Sequence, residues 1–189
     1  ALIGKTLSFE NYLNLISSRA DDVRAGFVKR SVDNMLKITT DGRKAALDIR
    51  LVDPKEQFTQ QSKVYRCAEN VFDIYLKTDG TQLVFCDTST PKSSFNMYDE
   101  LKRLLIEKGI LPSQIAFVHD ATSEAKRNTL FKMMRNGEIR VLIGSTFKLG
   151  IGVNVQDKLI AIHHLDVPWR PADVGRILRT FKIKKNVEV

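Results

Sequence analysis

The chain has 189 residues, 43% hydrophobic and 28% charged, a balance that suits one core-bearing globular domain, or one domain with an appendage, and argues against wholesale disorder. No run approaches ~18 consecutive apolar residues, which argues against a membrane-spanning helix; two cysteines, Cys67 and Cys86, with no CxxC exclude a disulfide framework and offer no zinc spacing. The net charge of +8 favours polyanionic partners, because each neutralised phosphate releases counterions.

Residues 1–62 read as a helical lead-in segment. The first residues lack a basic start followed by an apolar core, so no signal peptide is read there and a reducing, cytoplasmic setting is expected. Ser8 stands as the N-cap of a helix to about Ser18, with Phe9, Tyr12, Leu13 and Ile16 on one face. A second helix is expected over 20–30. Thr39-Thr40-Asp41-Gly42 signals a turn, followed by a short helix over 43–51. Pro54 interrupts the region. The helix expected over 57–77 places Val64, Cys67, Ala68, Val71, Ile74 and Tyr75 at 3-4 spacing.

Residues 63–189 change texture. The apolar run 82–86 predicts a strand buried on both faces. A helix over 93–108 follows, closed by Gly109. Then come a strand at 115–118, a helix at 123–136 with Ser123 as N-cap and Asn136-Gly137 as stop, and strands at 140–144 and 159–163. A short helix at 173–179 and a strand at 186–189 close the series. Strands alternating with helices of this length predict an α/β fold: a parallel sheet with helices on both faces, in three α/β/α layers. The working loops of such a sheet lie beyond the carboxyl ends of its strands, at 87–91, 119–122, 145–154 and 166–171.

Four stretches carry candidate chemistry. Ser145-Thr146-Phe147-Lys148-Leu149-Gly150-Ile151-Gly152-Val153-Asn154 follows a buried strand. Its glycines allow tight turns with exposed N–H groups that suit phosphates, and they serve equally well in a plain turn. It is neither GxxxxGK[ST] nor GxGxxG. Arg176 and Arg179, in Gly175-Arg176-Ile177-Leu178-Arg179, share one helical face and suit a grip on phosphate, or simply solvate that face. His119-Asp120 follows a strand, with Arg127 in the next helix. Asp166-Val167-Pro168-Trp169-Arg170-Pro171 makes a stiff aromatic loop whose Trp169 suits either base stacking or packing on the domain.

Taken in order, these features resemble the C-terminal RecA-like motor domain of superfamily 2 helicases and translocases. The likeness is to Swi/Snf-type proteins, and especially to helicase-like proteins of phages and mobile genetic elements. It covers roughly residues 81–179. The resemblance implies that 82–87 is motif IV, 145–154 motif V and 175–179 motif VI. It places the nucleic-acid track at Asp87, Thr88, His119, Ser145, Thr146 and Lys148, with Thr146 on the backbone. Gly150, Gly152, Asn154, Arg176 and Arg179 would meet nucleotide, and the two arginines would be catalytic, stabilising charge on the γ-phosphoryl group. Ala172 stands where the family's motif VI begins with Gln, and the interval before Arg176 is about four residues short.

The resemblance further implies a DNA partner (RNA not excluded) and the N-terminal RecA-like domain of the same chain, with no membrane partner. ATP and Mg²⁺ would be held mainly by that first domain, with no cofactor of this chain's own and no metal site. Residues 63–189 would then form the RecA-like helicase C-terminal domain. Alone it is expected to hydrolyse no ATP, since the sequence carries no phosphate-binding Lys loop. Two rival readings are a basic α/β module that binds nucleic acid or protein without an ATP cycle, and a nucleotide-binding transferase. GxGxN after the third strand, rather than the first, counts against the transferase.

Overall fold

The computed structural model describes residues 6–149 and 155–166. Gly150, Gly152, Asn154, Trp169, Arg176, Arg179, the helix expected at 173–179 and the strand expected at 186–189 lie outside the described residues. The chain divides into two compact units, residues 2–63 and 64–189.

In the first unit, α1 (Leu7–Ala25) packs on α2 (Met35–Leu47), which leads into a 3-10 turn at Ile49–Leu51. The expected pair of helices over 8–18 and 20–30 is one helix, because no glycine or proline interrupts residues 7–25. It begins before Ser8: Thr6 Oγ1 accepts from Phe9 N at 3.3 Å. It ends where Gly26 turns left-handed, with φ 78°. The turn expected at 39–42 is also corrected, because α2 runs straight through it. Thr39 and Thr40 return their hydroxyls to the carbonyls of Met35 and Leu36, at 2.7 and 2.8 Å. Asp41 is drawn to Arg19 of α1 at 3.1 Å. The same guanidinium grips Asp33 with Nε and Nη2, at 2.7 and 3.0 Å, which holds the Asp33 carboxyl below its usual range. A turn-forming quartet is thus kept helical by a partner on another helix.

In the second unit the strands and helices alternate: α3 (Lys63–Lys77), β1 (Thr81–Phe85), α4 (Met97–Lys108), β2 (Ile115–Phe117), α5 (Glu124–Asn136), β3 (Val141–Gly144), α6 (Thr146–Leu149) and β4 (Leu159–His164). Asn96 and Ser123 cap α4 and α5, while Gly109 and Gly137 end them in the left-handed region. The helix expected over 57–77 starts six residues late, after a turn in which Ser62 N donates to Thr59 O. Arg140 closes its other end. The guanidinium donates to the carbonyls of Tyr75, Thr78 and Gly80 and lies 4.5 Å from the centre of the Tyr75 ring.

The four strands form a parallel sheet in the order β2-β3-β1-β4. From β1 the chain crosses over β3 to reach β2, then returns to β3. With right-handed crossovers, those two steps put α4 and α5 on opposite faces. The side chains agree with this. On one face Leu83, Phe85, Leu142 and Ile162 bury against Phe131 and Met134 of α5. Each such side chain contributes about 1.5–3 kcal/mol on burial. On the other face Gln82 Nε2 donates to Val71 O of α3 at 2.9 Å, and Tyr98 of α4 lies edge-on to Phe117 at 5.4 Å. This is the expected three-layer α/β/α arrangement.

A polar pair lies inside that second face. Gln82 uses its amide nitrogen on Val71, so its Oε1 accepts from His163 Nε2 at 2.8 Å. His163 Nδ1 is then the bare ring nitrogen, buried without a partner. Burial, and secondarily His164, pushes the His163 pKa from 6.5 down to about 4. The imidazole is therefore neutral when folded, and the unfolded chain binds the extra proton between about pH 4 and 6.5. Stability from this group is complete above pH 6.5 and is lost as pH falls toward 4. By pH 5 the loss is on the order of 2 kcal/mol. Urea unfolding at pH 7.5 and 5 should show this drop, with His163→Gln less stable overall but flatter in pH. An unchanged pH slope in His163→Gln would rule out the assignment.

Candidate functional site

A parallel sheet brings the carboxyl ends of all its strands to one rim. Here the rim carries Asp87 and Thr88 after β1, His119 and Asp120 after β2, Ser145 to Lys148 after β3, and Asp166 after β4. Asp166 is buried, and its carboxylate accepts from Asp87 N at 2.9 and 3.1 Å and from Thr88 N at 2.5 Å. Asp87 in turn accepts from Thr146 N and from Thr146 Oγ1, both at 2.7 Å. Backbone bonds run alongside: Cys86 N donates to Gly144 O at 3.0 Å, and Leu165 N donates to Phe85 O at 2.9 Å. The exit of β1 is thus tied to the exits of both neighbouring strands through two carboxylates.

Glycine at 144 is a steric requirement. A Cβ there would come within 2.4 Å of Leu149 and 2.6 Å of Val118, so only a bare backbone lets α6 fold down onto the sheet end. The buried Ser145 carbonyl accepts from Lys148 N at 3.0 Å and from Leu149 N at 2.9 Å. Arg127 Nη2 donates to Lys148 O at 3.0 Å. Residues 146–149, expected to open a Gly-rich loop, are instead a single helical turn, pinned by Asp87 at its start, Arg127 at its end and Leu149 underneath.

His119 borders this turn, which packs against residues 118–120. The Tyr98 ring stands perpendicular to it at 5.2 Å, and its Nδ1 is buried without a hydrogen-bond partner. Burial, then the nearby Lys148 cation, lowers its pKa against the opposing pull of Asp120. His119 is therefore a neutral imidazole at pH 7. Tyr98 is fixed by donating its hydroxyl to Cys86 O at 2.8 Å.

Of the residues expected on the nucleic-acid track, the structure joins Asp87 directly to Thr146 and links Thr88 to them through Asp166. Lys148 and His119 sit beside this chain of bonds, and Ser145 lies beneath it. Those expected at nucleotide, Gly150, Gly152, Asn154, Arg176 and Arg179, lie outside the described residues. Tyr98 is not among the residues expected at the site, and Asp166 is expected only as the start of the 166–171 loop, without a role of its own. The signal for Asp166 was an acid closing an apolar strand; Tyr98 left none, because its role depends on a carbonyl twelve residues away. Within the described residues two of the three rim carboxylates, Asp87 and Asp166, are engaged by amides or a hydroxyl and serve to position the rim, while Asp120 is exposed. No helix among the described residues is long and apolar enough to cross a membrane.

The family pattern described as "Helicase conserved C-terminal domain" matches residues 63–182. No curated protein matches the chain. Among solved structures, the chain is similar to the Sulfolobus solfataricus SWI2/SNF2 ATPase C-terminal domain, with TM-score 0.53 and 16% identity over 92% of this chain and 73% of that one. It also matches the Pyrococcus furiosus Hef helicase domain, with TM-score 0.49 and 15% identity over 92% of this chain. The C-terminal part of the Fun30 ATPase domain follows, with TM-score 0.48 and 17% identity over 77%. The chain spans 33% of the Hef structure and 46% of the Fun30 structure. At 16% identity the first likeness shows a shared fold.

Proposed function

From the premise that the chain belongs to the helicase conserved C-terminal domain family of superfamily 2, we propose that it is the second motor domain of an ATP-dependent DNA helicase or translocase. The observation that carries this reading is the hydrogen-bonded line from Asp166 through the Asp87–Thr88 turn to Thr146. It makes the motif IV turn and the start of motif V a single mechanical piece. Force applied to a nucleic-acid backbone at Lys148 would pass through Thr146 and Asp87 into β1, one of the two inner strands.

In this reading ATP and Mg²⁺ are held mainly by the first motor domain, which supplies the Lys loop and the metal-binding carboxylates. This chain closes the cleft from the other side. Arg176 and Arg179 reach toward the γ-phosphoryl group, while Gly150, Gly152 and Asn154 bring backbone close to nucleotide. The rim then alternates between two positions relative to the first domain as ATP binds and is hydrolysed, and the track moves with it. DNA is the proposed polymer because the resemblance is to Swi/Snf-type proteins, and the net charge of +8 fits a polyanion.

The test separates the halves. The full-length protein should hydrolyse ATP in a nucleic-acid-stimulated manner, and residues 1–189 alone should show no turnover above background. Robust turnover by these residues alone would remove the proposal, since the chemistry would then need no second domain.

A further inference from the structure

On the pinned turn α6, one side chain has no internal role. Thr146 is held by Asp87, the Lys148 backbone by Arg127, and Leu149 is fully buried, but Phe147 is 82% exposed. A phenyl ring turned outward on a fixed turn forgoes the stabilisation that burial would give it. A flexible loop could tuck it away; this turn does not.

Two kinds of surface suit an exposed phenyl ring: an apolar protein face or the face of a nucleobase. Its surroundings choose between them. Lys148 is the next residue, close enough to His119 to disfavour a charge on that imidazole. Of the neighbouring acids, Asp87 and Asp166 are engaged by amides and a hydroxyl, and the exposed Asp120 acts on His119 less strongly than Lys148 does. Protein–protein interfaces are depleted in lysine, whereas an aromatic ring beside a cation is the usual composition of a single-strand platform.

We propose that Phe147 stacks on the face of an unpaired base while Lys148 takes an adjoining phosphate. This rests on the motor reading and adds to it a base-contacting residue on the motif V turn. Every base has a π face, so the contact tolerates sequence but favours single strand over duplex, where the faces are already stacked.

The test uses the full-length protein and fluorescein-labelled oligothymidine, with a matched duplex and a strand carrying 2-aminopurine. Phe147→Ala should weaken single-strand binding on the order of tenfold or more and duplex binding little. Phe147→Trp should restore binding, and Phe147→Leu, apolar but not aromatic, should not. The 2-aminopurine quenching on binding should vanish in Phe147→Ala. The salt dependence of binding should keep its slope in every Phe147 variant and fall by about one in Lys148→Ala. Parental single-strand affinity and quenching in Phe147→Ala would overturn the stacking while leaving the motor reading intact. Binding restored by Leu as well as Trp would overturn it in favour of apolar protein contact. A parent protein that binds no nucleic acid would overturn the motor reading, and the stacking with it.

Discussion

Arg179→Ala in the full-length protein is expected to lower saturating ATP turnover by roughly 10³-fold or more, in line with loss of an arginine that stabilises transition-state charge. The effect belongs to turnover rather than to binding. Three equatorial oxygens carry the developing charge, and a guanidinium placed across the cleft meets it only as the transition state forms. Nucleotide affinity should therefore change far less than turnover. Arg179→Lys should not restore the rate, because a point ammonium lacks the planar fork that spans two oxygens. The measurement is steady-state hydrolysis with saturating nucleic acid, alongside ATP affinity. Turnover within a few-fold of the parent would show that Arg179 is no finger.

The largest structural effect is expected at Asp166. Asp166→Ala removes the buried carboxylate that is the only acceptor described for the amides of Asp87 and Thr88, two half-buried residues. Hydrogen bonds to a charged acceptor contribute about 1.5–3 kcal/mol each, so the loss of two amide partners amounts to roughly 3–6 kcal/mol, toward the lower end where water reaches the amides. Against a total of about 5–15 kcal/mol for a typical domain, the variant is expected to be marginal at 37 °C. Asp166→Asn keeps one carbonyl acceptor and should lose about half as much. The midpoint of urea unfolding should fall with an unchanged slope. Stability equal to the parent in Asp166→Ala would show that the clamp does not hold the rim.

How much of this was legible in the sequence depended on how far each interaction reaches. The strands of the sheet announced themselves as short apolar runs, because a strand covered on both faces has no polar side to hide. Gly109 and Gly137 marked helix ends for an equally local reason: only glycine turns left-handed without strain. Some departures are local, such as the single helix over 7–25 where two are expected, but those that shape the site are long-range. Thr39 to Gly42 reads as a turn until Arg19, 22 residues upstream, pulls Asp41 back onto a helix face. Residues 146–149 read as a loop until Asp87, 59 residues away, caps their first turn. The same distance explains the site. Thr146 and Asp87 each stand out as candidate site residues, yet nothing in their local sequence says that one is the other's partner. Asp166 reads locally as no more than the start of a loop, because its partner lies 79 residues upstream.

The strand order also shapes how the molecule is born. β1 is made first, yet its two hydrogen-bonded neighbours are β3 and β4, which begin at Val141 and Leu159. As the nascent chain leaves the ribosome, Gln82 to Cys86 emerges with both edges open and about sixty residues still to be synthesised before either edge can pair. Such a segment is apolar, nearly uncharged and free of proline, the kind that recruits foreign strands. A chaperone that shields this stretch during elongation would raise the yield of folded protein, and slowing translation between β1 and β3 would lower it.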